Sequence, residues 1–158
     1  MTYQIADEPE ETQLSHYVVD PGAPLLAMMT CGAWLAWPWF AFNAIAMGSP
    51  TKRREIALCV LAVAGTALLG WGVLALLDAG IISIGTQLKL AILAITTWKL
   101  GMAYYISNVQ ARTFHVYAYY GGTVKNAGSV LGTGWWLSGL VIALSDDPLW
   151  IIIVGGWP

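Results

Sequence analysis

Four stretches of the chain are apolar, at 25–47, 56–77, 88–108 and 128–144, and each is bounded by polar or helix-breaking residues. A helix crossing the hydrocarbon core of a bilayer needs about 20 such residues, so the pattern predicts four transmembrane helices. The second run carries no charge at all. The fourth is the shortest and stops at Ser145, Asp146, Asp147 and Pro148, a polar segment closed by a residue that cannot continue a helix. The apolar remainder, 149–158, is too short to span. It is expected to lie in the interface, to fold back between helices, or to extend the fourth helix past a kink. The first 22 residues are rich in Asp, Glu and Gln and end at Pro21, and read as a flexible acidic tail. The expected architecture is all-α: a tail over 1–22 and a polytopic bundle of four transmembrane helices over 23–158.

Composition agrees with that pattern. Of the 158 residues, 58% are hydrophobic and 10% charged, against about 25% charged in a soluble domain. A net charge of −2 with no basic face argues against nucleic acid as a partner, because phosphate neutralisation needs clustered bases. The bases that are present set an orientation. Lys52, Arg53 and Arg54 sit in the loop after the first run, and Arg112 and Lys125 in the stretch from Gln110 to Asn126 after the third. Short loops holding Lys and Arg face the cytoplasm, so the acidic tail, the turn at Asp78 and Gly80, and the Asp146 and Asp147 pair are expected on the opposite side, with both termini outside. The tail lacks the basic start and early apolar core of a cleaved signal peptide.

Aromatic residues support the same map. Tyr104, Tyr105, Phe114, Tyr117, Tyr119 and Tyr120 crowd the inner end of the third run, where amphipathic rings favour the headgroup level. The third helix is expected to continue there as an interfacial segment. Gly121 and Gly122 would end it, and Asn126 would cap the fourth.

Asn43, Gly48 and Pro50, then Lys52, Arg53 and Arg54 opening the next apolar run, a later Gln110, and Tyr120, Gly121 and Gly122 before a last span with Ser and Trp form one ordered set. Over about half of the chain this set resembles a family of bacterial four-helix inner-membrane proteins of no established activity. The resemblance implies a topology and a bacterial cytoplasmic membrane. It implies no catalytic or binding residue.

A few polar residues within the runs are the candidates for chemistry. Lys89 and Lys99 lie ten positions apart on the third helix, about 15 Å at roughly 1.5 Å per residue. Either both snorkel outward in opposite directions, or Lys99 faces the bundle interior and marks an ion path, an anion-binding point or a subunit contact. Pro38, set among Trp34, Trp37 and Trp39, removes one backbone donor and predicts a kink near mid-span, which either lines a ligand crevice or is filled by the neighbouring rings. Asn43 is expected to bond to a neighbouring helix. Gly128 and Gly132, with Gly134, Ser138 and Gly139, give small residues four apart, a spacing that lets backbones approach within the bundle or between copies. Cys31 and Cys59 read as buried apolar residues near opposite surfaces, too far apart to pair. His16 and His115 are expected on opposite sides, and no Cys, His or carboxylate spacing suits a metal. No catalytic, cofactor-binding or metal-binding motif is present.

These features point to a non-catalytic integral membrane protein that acts through assembly, as an accessory subunit or self-associating effector, with the lipid bilayer and either its own copies or other membrane proteins as partners. The alternative is a small oligomeric channel or transporter for an anion or an apolar solute.

Overall fold

A computed structural model describes residues 12–155. Among these the chain forms six α-helices and no strands: α1 (Gly22–Thr30), α2 (Ala33–Ala46), α3 (Lys52–Asp78), α4 (Thr86–Tyr119), α5 (Gly128–Ile142) and α6 (Pro148–Val154), with a short 3-10 turn at Ser15–Tyr17 before them. Two helices, α3 and α4, are long and apolar enough to cross a bilayer, while α5 is a shorter apolar helix.

The first apolar run, expected as one helix over 25–47, is divided between α1 and α2. The break lies at Gly32 and not at Pro38, which stays inside α2. Gly32 has φ of 101° and ψ of 178°, a region essentially reserved for glycine. Its N–H still bonds back to the carbonyl of Ala27, and its carbonyl accepts from Ala36, so one residue both ends α1 and starts α2. The two helices form an antiparallel hairpin, because Val19 before α1 bonds to Asn43 near the end of α2. A glycine at the turn overrides apolar continuity, since hydropathy registers the side chains and not the backbone angle.

The hairpin reverses the direction of everything before it. Segment 12–21 lies at the Lys52 end of α3, beside the 47–51 and 120–127 loops: Thr12 Oγ1 donates to the Ala46 carbonyl, Tyr117 Oη to Ser15, and the Lys125 N–H to Val18. The basic loop and this segment therefore share one end of the molecule, which corrects the expectation that they lie on opposite sides. His16 and His115 likewise share that end. Residues 12–21 are also not a loose tail, for Val18 and Val19 are buried; the acidic part at 1–11 lies outside the described residues.

From the 47–51 turn α3 runs for 27 residues and the 34-residue α4 returns antiparallel to it, with Trp98 Nε1 donating to Ala62 and Arg54 Nη2 to Tyr105 Oη. The indole of Trp98 occupies the space where Gly65 has no side chain; a Cβ there would meet the ring at 2.6 Å. The third helix continues beyond its apolar part to Tyr119, as expected. It ends as expected at Gly121, where φ of 82° lets the N–H groups of Gly121 and Gly122 bond back to Ala118 and Tyr117. Asn126 Oδ1 then accepts from the Gly128 N–H at the start of α5.

The described part of the tail, 149–155, takes one of the three expected courses. Asp147 Oδ1 accepts from the Leu149 N–H, with Pro148 in the first turn, and α6 folds back against α3. Trp150 Nε1 fastens it to the Val141 carbonyl of α5.

The core sits where the hairpin meets α3 and α4. Each of these four helices brings an alanine without exposed surface, Ala27, Ala36, Ala62 and Ala103, around Phe40 and Ile106. Small side chains at the crossing let the backbones approach closely. Gly32→Ala is expected to destabilise the protein by about 1–3 kcal/mol, through strain at the turn. Gly101→Ala, on α4 with open space around the position, is expected to stabilise it by about 0.5–1 kcal/mol. Thermal unfolding of the detergent-solubilised protein checks both signs.

Candidate functional site

The polar residues inside the fold gather in three places. The first is at the Lys52 end. Asn43 is fully buried, and its amide pairs with both backbone groups of Val19: the Val19 N–H donates to Oδ1 at 3.0 Å and Nδ2 donates to the Val19 carbonyl at 3.1 Å. The same Nδ2 reaches Gln110 Oε1 at 3.4 Å, and Gln110 Nε2 donates to the Phe40 carbonyl at 2.8 Å. One turn earlier on α4, Ser107 Oγ donates to the Pro21 carbonyl. Asn43 of α2 and Ser107 of α4 thus satisfy a backbone segment that has no strand beside it, as burial demands, while Gln110 braces Asn43 and the Phe40 carbonyl. Asn43 is a contact between elements, as the apolar run around it predicted. Gln110 was not singled out as its partner, because pairing across 67 positions leaves no local signal.

Beside this network, Glu55 is fully buried at the start of α3. Its Oε1 accepts from Ser49 Oγ at 2.5 Å and from Thr51 Oγ1 at 2.7 Å, while Oε2 has no hydrogen-bond partner among the described residues. Glu55 directly follows Lys52, Arg53 and Arg54 in the chain but turns inward. Two hydroxyls just ahead of a carboxylate in the first turn of a helix were the available signal, since the positive end of the helix favours an acid there.

The second place is Lys99. It is 4% exposed, and its amine donates to the carbonyls of Ile152 at 3.0 Å and Gly155 at 2.7 Å. These are orphan acceptors at the end of α6, where negative partial charge collects. Of the two readings of Lys99, the inward one describes its position, and its partners are backbone oxygens. Lys89 behaves otherwise and is exposed in the first turn of α4.

The third place is an apolar groove of about 490 Å³ between α2, α3 and the end of α6. Trp34, Trp37 and Pro38 form one wall, Cys59 and Val63 another, and Ile153 and Val154 close it. The two cysteines are both buried and unpaired. They do not sit near opposite ends: Cys31 is at the hairpin turn against Leu131 of α5, and Cys59 is two turns into α3. Folding the first run in half brings its start back from the far end.

The glycines of α5 divide by side. A Cβ on Gly134 would meet Leu35 Cδ2 at 2.4 Å and Cys31 Sγ at 3.2 Å, whereas one on Gly132 or Gly139 would meet nothing within 4 Å. Close packing within the chain therefore uses Gly134, one of the glycines of the run but not of the Gly128 and Gly132 pair. Gly128 and Gly132 are exposed, as are Trp135 and Trp136.

Among the described residues no three His, Cys, Asp or Glu converge. No protein-family model, curated protein or solved structure matches this chain.

Lys99→Met would leave two buried carbonyls without donors, at a cost of about 1–3 kcal/mol. The expected result is release of α6: a cysteine placed at Val154, in a background without Cys31 and Cys59, becomes reactive to a maleimide in Lys99→Met and stays protected in Lys99→Arg.

Proposed function

We propose that this chain is a non-catalytic integral protein of a bacterial inner membrane that acts by associating with its own copies, or as an accessory subunit, through the exposed face of α5. The observation that carries this reading is the division of the α5 glycines. Gly128, Gly132 and Gly139 recur on one face of a helix, together with Trp135 and Trp136, and that face is not used inside the fold. Open glycines let a second helix approach to backbone contact, the main source of helix association in lipid.

Membrane residence is supported by what surrounds the fold. The most apolar windows of α3 and α4 are only 17% and 28% buried, far too little for core helices of a soluble protein. Val60, Leu61, Leu68, Trp71, Leu90 and Leu93 are exposed along them. In this reading α3 and α4 cross fully, while the α1–α2 hairpin enters from the Lys52 end and α6 from the other. Half-crossing segments are tolerated at membrane depth when their backbone ends are satisfied by protein, as Lys99 and the network around Asn43 do here. The basic loop then places the Lys52 end in the cytoplasm, and segment 12–21 with it.

The competing reading is a small transporter for an apolar solute, favoured by the groove beside Trp34 and Trp37. An anion path through Lys99 has less support, since backbone carbonyls already engage its amine.

Gly132→Leu and Gly139→Leu are expected to shift the particle from oligomer to monomer with little change in thermal stability. Gly134→Leu is expected to destabilise the fold by about 1–3 kcal/mol through overpacking. Light-scattering mass and unfolding measured in the same detergent separate the two effects. Unchanged mass in both exposed-face variants, with solute flux lost in Trp37→Ala, would move the conclusion to the transporter.

A further inference from the structure

Outside the polar network, the α3–α4 face carries two cavities with opposite chemistry. At the Lys52 end a cavity of about 460 Å³ is lined by Arg54 and Thr51 from one side and by Tyr105, Asn108, Arg112 and Thr113 from α4. No carboxylate is among its lining residues. Arg54 Nη2 donates to Tyr105 Oη at 3.1 Å, which fixes the guanidinium across the helix pair and leaves its other N–H groups to serve a ligand. Asn108 Nδ2 donates to the Tyr104 carbonyl within its own helix, so its oxygen remains an acceptor.

Farther along the same two helices, a groove of about 720 Å³ is almost wholly apolar, lined by Leu69 and Val73 of α3 and by Ala94, Trp98, Gly101 and Met102 of α4. On α4 the two cavities form one stripe: Ala94, Trp98, Gly101, Tyr105, Asn108 and Arg112 follow at alternating steps of four and three, the spacing of a single helix face. From Asn108 to Ala94 the stripe is about 21 Å long at roughly 1.5 Å per residue, somewhat more than the roughly 15 Å of half a hydrocarbon core. On this stripe Gly101 is the junction between the two linings, and nothing lies within 4 Å of where its Cβ would be.

We propose that this face binds one anionic phospholipid, its phosphodiester between Arg54 and Arg112 and an acyl chain in the groove past Gly101 and Trp98. Arginine suits a phosphodiester because its planar fork donates in pairs, and basic pockets between helices on the cytoplasmic side take anionic headgroups. Tyr105, Asn108 and the two threonines suit glycerol or headgroup hydroxyls. Neither cavity alone specifies a lipid; a cationic pocket and an apolar groove in line on one helix face, together of leaflet length, do. The proposal rests on the membrane reading above.

The test uses the full chain extracted from membranes in a mild detergent, with bound lipid counted by native mass spectrometry and phosphatidylglycerol titrated against phosphatidylcholine. One phosphatidylglycerol per chain is expected to bind in preference to phosphatidylcholine. Binding should weaken roughly tenfold in the Arg54→Gln, Arg112→Gln double variant, as loss of charge-assisted contacts implies. It should also weaken in Gly101→Leu, which keeps both arginines and blocks the junction. Equal binding of the two lipids overturns the headgroup assignment. Displacement by glycerol phosphate with no effect of Gly101→Leu overturns the lipid in favour of a soluble phosphate ester. Release of the chain from membranes by alkaline carbonate overturns the membrane reading, whereas an embedded chain without anionic lipid overturns this proposal alone.

Discussion

The pairing of the Asn43 amide with both backbone groups of Val19 is the contact on which the arrangement turns. An extended segment buried among helices has no neighbouring strand to satisfy it, and an unpaired buried N–H or carbonyl costs about 1–3 kcal/mol. One side-chain amide meets both groups at once and closes the mouth of the α1–α2 hairpin. With the mouth closed, Gly32 is held at the far turn, α2 returns to the Lys52 end, and Gln110 and Ser107 of α4 take up the remaining polar atoms of the crossing. The same closure leaves the other half of the molecule's length unfilled on that side. There α6 folds in from the opposite end, and Lys99 receives its last carbonyls.

The fold therefore contains two elements that stop half way, each ended by a different device. The hairpin turns on glycine geometry, which needs no polar partner because Gly32 keeps its own hydrogen bonds. The end of α6 has no following turn within the described residues and relies on a long side chain from another helix. In both cases the chemistry serves the backbone. This is why polar residues that read as functional candidates from their depth in an apolar run are engaged structurally, and why the surfaces left open are the unfilled ones: the α5 face, the groove beside Trp37 and the α3–α4 stripe.

Glycine and tryptophan divide the packing between them. Gly65 and Gly134 are places where another side chain occupies the space of a missing Cβ, and Trp34, Trp98 and Trp150 each pin a backbone carbonyl through the indole N–H. A ring that buries its body and bonds at its tip holds a helix in register without adding charge to an apolar interior. Glu55 departs from this economy, with one carboxylate oxygen held by two hydroxyls and the other left over.

Apolar runs and their punctuation determined a good deal by themselves: the all-helical class, the two long helices, the stop at Gly121 and Gly122, and a polar interruption at 145–147 after the fourth run. Each is a local matter, set by side-chain hydropathy or by backbone chemistry within one turn. Only the tertiary structure decided that the first run doubles back, that segment 12–21 packs beside the basic loop, that Lys99 meets α6, and that Gly134 is buried while Gly132 is open. Those outcomes depend on contacts between residues 24 to 107 positions apart. A run of uniform hydropathy has no preferred face, so which glycine is buried and which tryptophan is exposed is settled by the neighbours that the hairpin brings alongside.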